Sequence, residues 1–397
     1  MKKLIVLILV VCLAFVGYIS FANRTEEPTE PALPDTDFTE EAVVASGIPA
    51  LNVAKLYESH DPNEVVMTIN GQEITWEQYF YFVNTNADTV SRYLADAKNY
   101  GLEVSWEDVT DESGTTFLQY VTAYAEETLR QMVVIESVAQ EGGAVIGAKE
   151  QEEIDAATES LKASLAGAGA SDEVFNAALA ELYLSRDFYE RINRVNYLYQ
   201  NGFTAIYGQD GANVSDEDAL AYLQDNGYIS ANHILYLTVD MTSGQELDAE
   251  TKEAKLAAAN NMSEYMRGYE AEDGAALAAR FAELKVEECE DSGKTAYPNG
   301  YVFLPGDMVK EFEDACLALG EYEVSEPILS SYGYHVIMRL PLDPDAVISF
   351  SNAGTPLTAR SLFANESYAK LLDEKMASAE IVYAPAFENF SVADYLE

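Results

Sequence analysis

Two stretches decide how this chain is read: Ala231-Asn232-His233-Ile234-Leu235-Tyr236 and Gly333-Tyr334-His335-Val336-Ile337-Met338. Each sets a histidine ahead of an apolar run, so each ring is expected to project from one face of a strand while alternate neighbours pack on the other. The chain has 397 residues and only three histidines. Imidazole is the side chain whose protonation is most easily tuned near neutral pH. One such histidine alone reads as a satisfied core residue. Two of them, bracketing one compact segment, point to a shared site.

Between the two stretches lie a pair of helical segments (about 250–268 and 273–285) and a turn at Pro298-Asn299-Gly300. A short helix from Met308 to Leu319 and a short strand from Val324 to Leu329 complete the segment. A strand, helices and returning strands within this length predict a small α+β domain over 229–342, with helices around an antiparallel sheet. Its two histidine strands are expected side by side, with both rings on one face.

Upstream the texture is helical. Val65-Val66-Met67-Thr68-Ile69 has strand composition and runs into Asn70-Gly71, a strong hairpin signal. Thr75-Trp76-Glu77-Gln78 reads as a capping box opening an aromatic helix through Val83. Phe117, Val121, Tyr124, Met132 and Ile135 recur at roughly helical spacing before Gly142-Gly143. Lys149 to Leu165 is a polar, alanine-rich helix. After a cap at Ser171, an apolar stripe runs from Phe175 through Leu179, Phe188 and Ile192 to Tyr199. Residues 63–228 are thus expected to form a mostly helical domain. Residues 343–397 supply one helix (about 358–378) and a tail, expected to pack back on that domain.

The chain's ends and charge narrow the setting. Lys2 and Lys3 precede an almost wholly apolar run from Leu4 to Ala22, with Ser20-Phe21-Ala22 offering a small-residue cleavage site. The run fits either a signal peptide (1–22) or a retained anchor, and a lipid-modified Cys12 is a lesser alternative. Both principal readings place the rest of the chain outside the cytoplasm, with membrane contact through this segment alone. Residues 23–62, rich in Glu and Pro at the start, read as an acidic linker. With 68 acidic against 23 basic residues, the net charge of -45 argues against nucleic-acid partners. Three cysteines without a paired-ligand spacing support neither a disulfide framework nor a metal site.

Residues 229–342 resemble the parvulin family of peptidyl-prolyl cis–trans isomerases. The resemblance rests on Gly306 to Ala315, on Val324-Ser325-Glu326-Pro327-Ile328 and on Tyr332 to Ile337, in order and spacing, with Asn232 to Leu235 as the opening strand. Val65 to Tyr79 is similar to the start of the helical domain in exported SurA- and PrsA-like foldases. The resemblance implies that His233 and His335 are the paired active-site histidines, with Asp291 at the position of the family's Cys or Asp and Ser330 before the second histidine. It implies an apolar floor from Met308 and Phe312, with Phe303 and Tyr332 in the substrate-binding set. Tyr332 stands where a small hydroxyl residue is common. The usual Gly-Gly-Asp-Leu-Gly stretch is replaced by Tyr297-Pro298-Asn299-Gly300-Tyr301, which alters one wall of the expected pocket. The function so implied is isomerisation of X–Pro bonds in unfolded or partly folded exported polypeptides, with no cofactor or metal. The alternative is a holdase whose parvulin module binds peptides without turnover.

Overall fold

A computed structural model describes residues 47–110, 114–388 and 390–397. The expected leader and the first part of the linker lie outside the described residues. The chain divides into two compact units, one running up to Ile206 and resuming at Glu366–Glu397, the other Tyr207–Asn365.

In the first unit, residues 47–62 are folded rather than linker. Helix α1 (Val53–Tyr57) buries Leu56 completely, and the Trp106 indole donates to the Pro49 carbonyl at 2.8 Å. Apolar Ile48 and Leu56, placed after the acidic stretch, are what let this segment pack. Strands β1 (Val65–Ile69) and β2 (Gln72–Thr75) form the hairpin that Asn70-Gly71 announces, and the two turn residues take φ of 51° and 79°. The capping box opens helix α2 (Trp76–Asn99), where Gln78 Oε1 accepts the Thr75 amide at 3.4 Å. This helix runs well beyond Val83. Its second half is rich in Asn, Thr and Ser, weak helix formers, and a buried stripe of Val90, Leu94, Ala95 and Ala97 carries it.

Helix α3 (Phe117–Glu141) has a second capping box, with the Gln119 amide donating to Thr116 Oγ1 at 3.2 Å. Helices α4 (Ala148–Ala166), α5 (Asp172–Ala180) and α6 (Arg186–Tyr207) follow. The Phe175-to-Tyr199 stripe is therefore two helices, not one. Tyr183 takes a left-handed φ of 56°, and Ser185 Oγ caps the new helix by accepting the Phe188 amide at 3.2 Å.

The second unit opens with α7 (Asp216–Asp225), capped by Ser215, and β3 (Ile229–Leu237). Then come α8 (Ala249–Arg267), α9 (Gly274–Glu288), β4 (Tyr301–Phe303), α10 (Lys310–Ala318), β5 (Ile328–Leu329) and β6 (Gly333–Leu340). The sheet is antiparallel in the order β4-β3-β6-β5. The expected strand Val324–Leu329 is paired only at Val324 and from Ile328, because Pro327 has no amide hydrogen to give a ladder. One face of the sheet packs Ile234, Val336 and Met338 against Met262, Met266 and Phe281 of α8 and α9. On the other, Ala231 and Ile337 meet Phe303, Phe312 and Cys316.

A hairpin of β7 (Val347–Phe350) and β8 (Pro356–Thr358) leads into α11 (Ala359–Ser378). This hairpin lacks a signal in the sequence reading. The unit's edges at 207 and 365 differ from the expected 229 and 342, and Arg360 shows why. Its guanidinium donates to the Val214 carbonyl, pairs with Asp216, and meets Asp345 at 2.7 Å, drawing the flanking segments together. The final strand, β9 (Ile381–Tyr383), adds to β1 within the first unit. There Phe387 stacks on Phe390, beside Trp76 and Tyr79. No helix among the described residues is long and apolar enough to cross a membrane.

Candidate active site

The register of β3 with β6 pairs His233 with Ile337 and Leu235 with His335. Cross-strand partners share a face, so both histidines lie on the same side, diagonal to one another. Their rings are nearly parallel, 13° apart with centroids at 5.2 Å, and their Nδ1 atoms are 3.0 Å apart.

Asp291 arrives from the end of α9. The Glu290 amide donates to the Leu235 carbonyl at 2.9 Å, which lays this segment along β3. Asp291 then caps a 3-10 turn, accepting the Gly293 amide on Oδ1 at 2.9 Å. Its Oδ2 accepts from His233 Nε2 at 2.9 Å and from the Tyr301 hydroxyl at 2.6 Å. At the other end, Ser330 Oγ lies 2.7 Å from His335 Nε2, and the Tyr332 amide donates to that oxygen at 3.1 Å.

One assignment of protons satisfies the whole chain. Tyr301 and His233 Nε2–H donate to Asp291, His335 Nδ1–H donates to His233 Nδ1, and the Ser330 hydroxyl donates to His335 Nε2. Both imidazoles are then neutral. The electrostatics agree. Burial holds both histidines below the usual imidazole range, His335 down to about 3. Burial alone would raise Asp291, but hydrogen bonds from His233, Tyr301 and the Gly293 amide outweigh it and hold the carboxyl well below the carboxylate range. Burial, then the bond to Asp291, pushes the Tyr301 phenol far up. The line Tyr301–Asp291–His233–His335–Ser330 thus carries a single charge, fixed at Asp291.

The apolar side is closed. Phe312 sets its ring nearly perpendicular to His233 (84°, 5.3 Å) and steeply to His335 (71°, 5.6 Å), and only 3% of the residue is exposed. Phe303 is equally buried behind it, with ring centroids 5.9 Å apart. Phe303 and Phe312 thus form one buried aromatic pair beneath the histidines. Met308 is half-buried against the same cluster, and the Tyr332 side chain stands exposed at the rim. Asp291 also borders an open cleft of about 710 Å³ lined by Lys255, Glu290 and Lys294, so the carboxylate sits where the protein meets water.

The structure thus gathers His233, His335, Asp291 and Ser330 into one network beside Phe312 and Met308. Two residues escaped the sequence reading. In the sequence Tyr301 stands only as part of an altered wall, yet its hydroxyl donates directly to Asp291. Lys285 is 1% exposed, donates to the Tyr297 carbonyl at 2.6 Å, and lies 5.3 Å from the Tyr301 ring centroid. Its signal was a lysine four residues after Phe281, on the buried face of its helix. Among the described residues, no group of three or more His, Cys, Asp or Glu is placed to hold a metal ion.

The rotamase family described as the PPIC-type PPIase domain matches residues 233–340. A protein of Halalkalibacterium halodurans named foldase protein PrsA is 29% identical over 243 residues, covering 60% of this chain and 63% of that relative. The chain therefore spans less than two thirds of that relative's length. The solution structure of the parvulin of Nitrosopumilus maritimus is 32% identical, with 29% of this chain and 97% of that one covered and a TM-score of 0.19. The crystal structure of PrsA from Bacillus subtilis is 22% identical, with 71% and 98% covered and a TM-score of 0.25. Residues 233–340 therefore carry a PPIC-type PPIase domain.

Proposed function

We propose that this chain is an extracytoplasmic foldase that isomerises X–Pro bonds in exported polypeptides. Its apolar N-terminal run directs export, and its helical unit holds unfolded clients. The observation that carries the catalytic half is the unbroken hydrogen-bond line from Tyr301 to Ser330 beside the Phe312 floor.

The chemistry needs only fixed polarity. Rotation about an X–Pro bond faces a barrier of about 20 kcal/mol because twisting breaks amide resonance, and each ~1.4 kcal/mol removed is tenfold in rate. In the planar imide, resonance puts partial negative charge on the carbonyl oxygen; the twisted form loses it. A fixed carboxylate near that oxygen repels the planar states more than the twisted one. An apolar slot that strips water from the imide acts in the same direction. Both effects favour the transition state over either ground state. Asp291 supplies the charge, the neutral histidines and Ser330 hold it in place, and the prolyl ring enters against Phe312 as Met308 moves aside.

The buried Phe312 favours a second reading, a holdase in which the closed slot never admits proline. Refolding of a client limited by a slow proline step separates the two. The full chain at catalytic amounts is expected to speed that phase at least severalfold, and Phe312→Ala to lose most of the effect. Fewer aggregates with an unchanged slow phase would favour the holdase.

A further inference from the structure

The loop that replaces the usual glycine-rich wall is built around Tyr301. Its hydroxyl reaches Asp291 Oδ2 at 2.6 Å through a gap left by Gly293, where a Cβ would fall 2.1 Å from the tyrosine hydroxyl oxygen. Tyr297 packs on the Tyr301 ring at 4.7 Å, and Phe350 of the β7–β8 hairpin meets Tyr297 at 5.7 Å. Beneath them the buried Lys285 ammonium ties the Tyr297 carbonyl and faces the Tyr301 ring. A buried lysine is costly to keep charged, and the arrangement spends that cost on a single tyrosine.

We infer that Tyr301 is a positioning residue of the isomerase site, orienting the Asp291 carboxylate through its hydroxyl, with Lys285 clamping the loop that presents it. The inference rests on the isomerase reading above. Without the hydroxyl, Asp291 Oδ2 keeps one donor instead of two, and the carboxylate gains freedom to turn toward the open cleft. The groups facing Asp291 are His233, Tyr301, Lys285, Cys289 and, farther off, His335.

The test uses the full chain with Tyr301→Phe, which keeps the ring and removes the hydroxyl, and with Lys285→Met. Tyr301→Phe is expected to lower kcat for a prolyl peptide about tenfold with KM little changed, and to move the acid limb of the rate profile to higher pH. The Asp291 carboxyl, followed by carbon NMR, should titrate at higher pH in the variant. Lys285→Met should lower kcat in the same direction, and the double variant should be no worse than Tyr301→Phe, because both act through one bond. Wild-type kcat in Tyr301→Phe, or an unmoved Asp291 titration, overturns the inference. If the wild-type chain shows no isomerisation, the isomerase reading fails separately, and the titration alone decides whether Tyr301 holds Asp291.

Discussion

Two neutral imidazoles buried side by side make acid the enemy of this site. An unfolded histidine titrates near pH 6.5, whereas His335 in the fold titrates near 3 and His233 below its usual range. Between those limits the unfolded chain binds more protons than the folded one, so stability must fall as the pH falls. For His335 alone the loss from pH 7 to pH 5 is about 2 kcal/mol. Asp291, also depressed, adds its loss only below about pH 4, where an unfolded carboxylate takes its proton. Denaturant unfolding of the second unit at pH 7, 6 and 5 measures the slope, and His335→Asn should flatten it. An unchanged slope in that variant would mean the ring is not held neutral. At this scale the sequence was legible wherever chemistry is scarce: three histidines made His233 and His335 conspicuous. Tyr301 was not legible, because one of 26 tyrosines gains meaning only when the fold brings it to Asp291.

Among the elements, the meeting of β3 and β6 matters most. At its Tyr236 end the strands approach so closely that a Cβ on Gly333 would fall 2.1 Å from the Tyr236 carbonyl oxygen, so only glycine fits. Gly333→Ala must prise the strands apart two residues from His335. The expected cost is about 1–3 kcal/mol, typical of overpacking, with slower isomerisation if the imidazoles separate. Wild-type stability in this variant, read by denaturant unfolding, would show that the strands yield freely. Capped, periodic elements were readable in advance: Thr75 and Ser171 each open a helix, and Asn70-Gly71 turns a hairpin. What failed to show was conformation without composition. The left-handed Tyr183 that splits one apolar stripe into two helices is an ordinary aromatic residue by sequence. The β7–β8 hairpin lacks the alternation that marks a half-buried strand, since most of its residues are neither fully buried nor fully exposed.

Taken whole, the chain joins a helical unit, completed by its own C-terminal strand on β1, to a unit built around the isomerase fold. The net charge of -45 belongs to this scale. It disfavours polyanionic partners, an effect that salt screens beyond about 10 Å. Unit edges were the least legible feature, because Arg360 recruits segments on both sides of the isomerase fold through contacts that follow no local pattern. The central claim remains that the joined histidines hold a catalytic carboxylate. The most direct measurement is the rate of cis–trans exchange in a prolyl peptide, read by protease-coupled cleavage, for the full chain and for His233→Ala/His335→Ala. The wild type should exceed the uncatalysed rate, which takes tens to hundreds of seconds, and the double variant should fall to it. Equal rates with and without the two histidines would contradict the account.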